Sequence, residues 1–372
     1  ANGAHWTLEL VGSTIRATRS TINAVSTAAS VAIGGGMVGV ALSGAGASAV
    51  NAITSTAKAT ITGATLSLAT GSVLVDAQSN ARINASVMAT ALSAGFGQVG
   101  VGISIGAAIS RNFIGFDAQG DVVANRGTTI ATVENSIITA SQGGLIVNAA
   151  SGQSIQALVI AGAGAVAAGQ VGVALSGAGV EAENRIGSTT TAQILGSTTN
   201  INATLVDVLA ADTSVIEALA GAVALSVAAG MVGVSGAIAA SIAVNSISSA
   251  TSAIVSRNAL SGGLGSVRAT SGAIRVLADD DSTIKATAAS VALAAGFGVG
   301  GIAVSGAGAE SQNVITTTTQ VVVDTMRLEP TTGITLAASG AAVIEARVIS
   351  AAASMGVGAV GVGISVGASL AH

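Results

Sequence analysis

The chain has 372 residues and a formal net charge of −4, with 8% charged residues, 50% hydrophobic residues, 50 Gly, one Pro and no Cys. It is too hydrophobic for an intrinsically disordered protein, lacks the Gly-x-y period of collagen and has no basic stripe for nucleic acid. Without Cys, the chain has neither a disulfide framework nor thiol chemistry.

Six copies of one segment follow one another along the chain. Each begins with an Ile-x-Ala triplet, the first five close on an Asn 29 residues later, and the sixth stops at the C-terminal His. The copies cover residues 22–51, 83–112, 155–184, 216–245, 284–313 and 344–372. Self-similarity with a period of about 60 to 70 residues is typical of stacked-repeat proteins. We therefore expect residues 1–372 to form a single repeat array.

The first half of each copy alternates small and bulky residues with period 2. In the copy that starts at Ile216, one parity carries Ala, Ser and Gly from Ala218 to Gly230, and the other carries mainly Leu and Val from Leu219 to Val227. Side chains alternate across a strand. The pattern therefore predicts a strand with one small-residue face and one bulky face.

A pair of glycines separated by two residues follows each of these strands, and we expect both members of each pair to be turn residues. The pairs are Gly36/Gly39, Gly97/Gly100, Gly169/Gly172, Gly230/Gly233, Gly298/Gly301 and Gly358/Gly361. A loop of two residues is typical of a β-hairpin, and beyond it the small residues change parity, so that they stay on one side. We expect each copy to be a hairpin of two strands, each of about 13 residues and roughly 43 Å long.

The segments between the copies vary in length and are rich in Thr and Ser. They cover residues 52–82, 113–154, 185–215, 246–283 and 314–343. Their polar–apolar alternation predicts half-exposed strands. We expect these connecting arms to decorate the surface and the hairpins to supply the packed structure.

The Asn that closes each copy has two interpretations. Asn51, Asn112, Asn184, Asn245 and Asn313 recur at one repeat position. Stacked in register, such side chains can form a hydrogen-bonded ladder; alternatively, Asn is a turn residue that tolerates unusual backbone angles. We favour the turn.

The acidic run Asp279-Asp280-Asp281 is the one candidate metal site. Ca²⁺ takes several oxygen ligands, but adjacent residues on a strand splay to both faces. We therefore favour a solvated turn, with Ca²⁺ binding as the alternative and no other cofactor expected.

Other motifs point to no enzyme. The pattern Gly-x-Gly-x-x-Gly occurs four times at the repeat spacing, so we interpret it as the turn and not as a dinucleotide fingerprint, which needs a following helix. The two His residues, His5 and His372, lie at opposite ends of the chain, and no paired carboxylates recur. We expect no catalytic site.

The repeats resemble those of very large secreted bacterial surface proteins of the filamentous haemagglutinin and fusobacterial leukotoxin/adhesin kind. The likeness lies in the Ile-x-Ala start, in Val-x-Val-x-Ala strands such as Val73–Ala77, and in the Gly-rich return that is complete at Gly39–Asn51. This resemblance implies an extended β-solenoid, exported to the bacterial surface and acting in adhesion or as a filament. The chain begins and ends within the pattern, and we expect it to be one stretch of a longer protein.

Together these features predict an all-β solenoid of stacked long hairpins. We expect a structural extracellular protein that forms a filament, sheath or surface fibre, with itself as partner, end to end or side by side through the Ala/Gly faces. One alternative is an adhesin- or toxin-type module that binds a surface ligand through the variable arms. Another is a membrane-inserting β module.

Overall fold

A computed structural model describes residues 5–9, 19–122, 127–257 and 264–372, and all regular structure in these ranges is β-strand. The strands are β1 (His5–Glu9), β2 (Arg19–Gly35), β3 (Val38–Ile53), β4 (Thr56–Thr62), β5 (Thr65–Leu68), β6 (Val73–Phe96), β7 (Val99–Ile114), β8 (Thr128–Glu134), β9 (Ile137–Ala140) and β10 (Leu145–Ala168). They continue with β11 (Val171–Leu195), β12 (Asn200–Ala203), β13 (Val206–Ala229), β14 (Val232–Ser256), β15 (Gly265–Ala269), β16 (Ala273–Phe297), β17 (Gly300–Asp324), β18 (Met326–Glu329), β19 (Gly333–Val357) and β20 (Val360–Ala371).

These strands form three sheets that run along the whole molecule. Sheet A contains β1, β3, β4, β7, β8, β11, β14, β17 and β20; sheet B contains β2, β6, β10, β13, β16 and β19; sheet C contains the short strands β5, β9, β12, β15 and β18. Within each coil the chain forms a strand of sheet B, then a turn, and then a strand of sheet A that runs in the opposite direction. It continues through a short strand of sheet C to the next coil. The expected all-β solenoid is confirmed.

Each strand pairs in parallel with its equivalents in the neighbouring coils. β10, for example, lies between β6 and β13, and its register runs without a break from Leu145↔Val206 to Ala168↔Ala229. Residues at equivalent positions of the coils therefore lie in rows along the stacking direction, at the strand spacing of about 4.8 Å.

The prediction that the two strands of each repeat pair with each other as a hairpin is wrong. The two strands that flank each turn belong to different sheets: β10 to sheet B and β11 to sheet A. They face each other through their side chains and do not exchange ladder hydrogen bonds. The parity change across the turn could not distinguish the two cases, because a hairpin and an arch both keep the small residues on one side.

The second glycine of each predicted pair is not a turn residue, so this part of the prediction is also wrong. Each turn consists of the first glycine and the one residue after it, and the next strand of sheet A then begins. The second glycine is the second residue of that strand in all six coils. These strand glycines are Gly39, Gly100, Gly172, Gly233, Gly301 and Gly361.

Close backbone approach is the physical reason for glycine at these strand positions. A Cβ added to any of the six would lie 2.1–2.8 Å from a backbone carbonyl oxygen. In the first five coils a carbonyl oxygen of the following coil comes this close, for example that of Ala168 at 2.6 Å from Gly100 and that of Phe297 at 2.5 Å from Gly233. A Cβ on Gly361, in the last coil, would lie 2.5 Å from the carbonyl oxygen of Gly356. The Gly-x-x-Gly spacing therefore reflects crowding in the turn and in the strand that follows it, and the two residues between the glycines are not the loop.

The small-residue faces of sheets A and B meet inside the solenoid. Ala161, Ala222 and Ala239 are at most 1% exposed. The backbones come so close that a Cβ added to Gly106 would lie 2.4 Å from the carbonyl oxygen of Gly162. The expectation that copies associate through the Ala/Gly faces is therefore wrong, since these faces are already buried within one chain.

The core changes composition along the strands. At the end closed by sheet C, Val, Ile and Leu side chains such as Leu145, Ile194 and Ile201 fill the interior, and near the turns Ala replaces them. This gradient follows the shape of the coil, because three sheets enclose a wide space and two converging sheets leave room only for small residues.

The connecting arms are part of this core and not a surface decoration. They supply sheet C and the lower halves of the long strands, so that β6 begins at Val73, ten residues before the predicted repeat starts at Ile83. The strands of sheet B reach 24 or 25 residues in β6, β10, β13, β16 and β19, or about 80 Å. Arm residues such as Val147 and Ile274 are fully buried.

Candidate functional site

The first glycine of each predicted pair lies in the turn, and together these glycines form a row along the narrow edge of the solenoid. The row consists of Gly36, Gly97, Gly169, Gly230, Gly298 and Gly358. A Cβ at Gly169 would lie 2.1 Å from the carbonyl oxygen of Gly97 in the preceding coil, and the same contact recurs from Gly97 to Gly358. The Gly-x-Gly-x-x-Gly copies span these turns, and each is followed by a strand. These glycines therefore allow the close approach of successive coils at the turns.

The closing Asn residues form a ladder, so the favoured turn interpretation is wrong and the alternative is confirmed. Asn51, Asn112, Asn184, Asn245 and Asn313 lie within the strands of sheet A and point inward. Each side-chain amide except the last donates to the carboxamide oxygen of the next coil at 2.8–2.9 Å. The row satisfies buried polar groups that would otherwise cost free energy.

The acidic run lies in the middle of β16 and not in a turn. Asp280 points inward and is fully buried, whereas Asp279 and Asp281 point outward. The strand therefore separates the three carboxylates, and they do not converge on one point. Among the described residues, no group of three or more His, Cys, Asp or Glu side chains could hold a metal ion.

A buried polar layer lies between the Asn ladder and the wide end of the core. Asp212 and Asp280 are aligned neighbours in it. Asp212 accepts hydrogen bonds from Ser214 Oγ at 2.7 Å and Thr190 Oγ1 at 3.2 Å. Burial raises the pKa of Asp212 above its ordinary value, the Ser214 hydrogen bond opposes this shift, and the neighbouring Asp280 charge adds to it. Sequence analysis missed this layer, since inward and outward acids look alike until the register is known.

The outer face of sheet A is apolar over the half of the coil next to the turns. On sheet A this region comprises Val38, Val40, Leu42, Gly44 and Gly46 of β3 together with the residues aligned with them on β7, β11, β14, β17 and β20. We call it the sheet A outer face. All of its residues are Val, Leu, Ile, Ala or Gly, and Leu42 and Ile238 are 65% and 66% exposed.

The matching region of sheet B is mainly apolar and also includes Thr27 and Thr90. Val25 and Ile33 are each 76% exposed, and Val223 is 47% exposed. Strand alternation predicts which residues share a face but not which face lies inside. Sequence analysis therefore identified the bulky face without finding that it is the outer one.

Charged residues border the sheet A outer face on the side away from the turns. Arg111 lies 3.2 Å from Glu181 and 3.5 Å from Glu183 across neighbouring strands. Beyond them, Arg185 stacks 5.9 Å from the ring centre of Phe113 and donates to the carbonyl oxygen of Gly120 at 3.4 Å. Gly120 belongs to the connection between β7 and β8, of which the structure describes residues 115–122 and 127.

A shallow groove crosses the outside of sheet B below its apolar region. A polar row of Asn23, Asn84, Gln156, Glu217 and Lys285 lines it. Asn84 donates to Asn23 at 2.7 Å and Gln156 to Glu217 at 2.9 Å, so the row links coils outside as the Asn ladder does inside.

Of the two His residues, His372 forms backbone hydrogen bonds with Ser311 and Asn313 in the last coil, and His5 lies in β1 at the other end of sheet A.

The described ranges contain no helix with the length and hydropathy needed to cross a bilayer. Comparison with protein-family models, curated proteins and solved structures finds no significant match to this chain.

Proposed function

We propose that this chain is a structural segment of an extracellular protein that builds a filament, sheath or surface fibre by self-association. The stacked coils supply a stiff rod, and the outer apolar faces supply the contact between rods. No catalytic role is proposed.

The exposed apolar area on the sheet A outer face carries this proposal. It spans six strands and nine residues along each strand, or about 29 Å by 30 Å, a projected area of roughly 870 Å². The largest apolar patch on a typical monomer is about 300–600 Å². A stable interface covers about 800 Å² per partner. The patch therefore has the area that a stable protein contact needs.

The resemblance of the repeats to those of secreted bacterial surface proteins supports an extracellular location. The absence of Cys is compatible with it, because the fold needs no disulfide. Further coils stacked on β19 and β20 would continue the parallel register, which gives growth along the rod as a second mode of assembly.

Sedimentation velocity and negative-stain microscopy at neutral pH test the proposal. We expect concentration-dependent association and side-by-side contact between rods. The variant Ile238→Lys should weaken association, since it places a charge within the apolar face, whereas Thr213→Lys, an exposed position outside that face, should not. Dispersed single particles at high concentration would overturn the proposal.

The connection between β7 and β8 favours one alternative, a binding module that uses the variable arms. Its described part packs on Phe113 at the outside of sheet A. This alternative expects that exchange of residues 113–154 or 246–283 for a short arm abolishes binding to cells while the solenoid still folds. The apolar faces also suit lipid, so a liposome flotation assay on the same protein separates membrane insertion from self-association.

A further inference from the structure

The sheet A outer face carries an alternation with a period of two coils. One row along the stacking direction consists of Gly44, Ile105, Gly177, Ile238, Gly306 and Val366, in that order. The next row away from the turns consists of Gly46, Ala107, Gly179, Ala240, Gly308 and Ala368. Glycine thus occupies every second coil in both rows, and a larger residue occupies the coils between.

The gaps over these glycines are open. A Cβ built on Gly44, Gly177 or Gly306 meets no atom within 4 Å, and the same holds for Gly46, Gly179 and Gly308. A neighbouring side chain that leaned over the glycine would fill such a gap, as Leu175 does at Gly236, where its Cδ2 lies 2.9 Å from the added Cβ. Ile105 and Ile238 do not lean in this way and are 59% and 66% exposed. The alternation therefore does not serve packing within the chain.

We propose that the sheet A outer face docks against the same face of a second copy, with each Ile or Val seated over a glycine of the partner. This inference rests on the proposed self-association and specifies its contact. Knobs spaced by two strands and gaps of the same spacing form an interdigitated dry interface when two such faces meet.

One two-fold arrangement satisfies both rows at once. The axis runs parallel to the strands between the two faces, so both copies keep their turns at the same end and stack their coils in opposite order. Gly44 then lies against the partner's Val366, Ile105 against the partner's Gly306, and Gly177 against the partner's Ile238. Because glycine and a larger residue alternate from coil to coil, an axis that passes between two adjacent coils places a larger residue over every glycine. Such a self-complementary contact is the isologous interface of a closed dimer.

Two other observations fit this partner. The face contains no charged residue between the turns and the row of Glu181 and Glu310, so a second copy brings no charge into the contact. In the two-fold arrangement Glu181 faces the partner's Ile242, and Glu310 faces the partner's Ile109, so that no two glutamates oppose each other.

The outer face of sheet B lacks the alternation: Gly162 and Gly221 are aligned with Val223 and Ile160 of the neighbouring strands, but no row alternates over six coils. The row of Leu42 on sheet A does not alternate either, so the Gly44 and Gly46 rows set the registration.

Filling the gaps tests the inference. The triple variant Gly44→Ile, Gly177→Ile and Gly306→Ile adds apolar surface at positions with free space, so the chain should still fold. We expect its self-association to weaken by more than about tenfold, because knobs then meet knobs. Non-specific hydrophobic association predicts the opposite, because the added apolar surface would then strengthen self-association. The matched control Gly162→Ile and Gly221→Ile, on the outer face of sheet B, should associate as the unaltered chain does.

A complementary variant removes the knobs through Ile105→Ala, Ile238→Ala and Val366→Ala. Alone it should associate more weakly than the unaltered chain, and mixed with the gap-filled variant it should form a heterodimer with restored affinity in sedimentation equilibrium. Unchanged or tighter association of the gap-filled variant would overturn this contact and leave the proposed self-association standing. A monomeric unaltered chain at high concentration would overturn both, and so would capture by liposomes of protein that shows no self-association.

Discussion

At the scale of single residues, the buried Asn side chains inside the solenoid are satisfied by their equivalents in the next coil. Asn184 accepts from Asn112 at 2.8 Å and donates to Asn245 at 2.9 Å, and all three are at most 1% exposed. A parallel stack makes this possible, because the register repeats each side chain at about 4.8 Å. The buried amides therefore favour the correct register between coils and also stabilise the fold.

Asn184→Ala breaks the ladder in its middle. It leaves a buried donor on Asn112 and a buried acceptor on Asn245 without their partner, and we expect a loss of about 1–3 kcal/mol in the free energy of unfolding. The matched variant Asn23→Ala removes the same kind of bond from the exposed outer row and should cost less than about 0.5 kcal/mol. Urea denaturation of both variants measures the difference; equal losses would contradict a structural role for the buried row.

Asp212 gives the stability of the protein a defined dependence on pH. Burial raises the pKa of Asp212 in the folded chain above the ordinary value of the unfolded chain. In the window between these two values the folded state binds more protons, so stability falls as the pH rises through it. Asp212→Asn should remove this fall and raise stability at neutral pH.

Thermal denaturation across the acid range measures this effect. The outward-facing Asp279→Asn serves as the control and should leave the dependence of stability on pH in that window in place. A curve for Asp212→Asn that still falls in the same window would show that another group is responsible.

At the scale of elements, close approach of backbones decides the composition of the turns and of the narrow core. From Gly97 onward, the first glycine of each turn lies under a carbonyl of the preceding coil, and Ala and Gly line the space where sheets A and B converge. Larger side chains would push the coils or the sheets apart.

Gly169→Ala and Gly177→Ala separate close approach from glycine content. A methyl group at Gly169 would lie 2.1 Å from a backbone oxygen, and we expect a loss of about 3 kcal/mol or more, or failure to fold. A methyl group at Gly177 meets nothing within 4 Å and should be neutral or stabilise by up to about 1 kcal/mol, because it restricts the unfolded chain. Chemical denaturation compares the two; similar losses would contradict the explanation by close approach.

At the scale of the whole molecule, each coil contacts mainly its neighbours. β10 pairs only with β6 and β13, and no ladder links more distant coils among the described strands of sheet B. The stability of such a stack is approximately a sum over coils and their interfaces. Whole coils should therefore be removable, whereas parts of coils should not.

Deletion of residues 145–205 tests this view. It removes one whole coil and joins Gly144 to Val206, which takes the place of Leu145 in the register, so β6 can pair with β13. We expect a folded protein whose circular dichroism per residue matches that of the full chain. Deletion of residues 171–205 removes the sheet A and sheet C strands of the same coil but keeps β10, and it should abolish cooperative unfolding. Equal behaviour of the two deletions would contradict coil-by-coil stability.

The sequence by itself determined the repeat, the β-strands, the glycine that opens each turn and the division of each strand into a small and a bulky face, because these follow from local periodicity and from glycine spacing. Only the tertiary structure decided that the second glycine of each pair lies in a strand, that the two arms of a repeat lie in different sheets, that the connecting arms build the widest core, and that the Asn row is a ladder. The reason is that the period-2 alternation along a strand assigns residues to its two faces but does not determine which face a second sheet covers. The same limit hid the rows of Gly44 and Gly46, since their alternation spans two coils and appears only when the parallel register places six distant segments side by side.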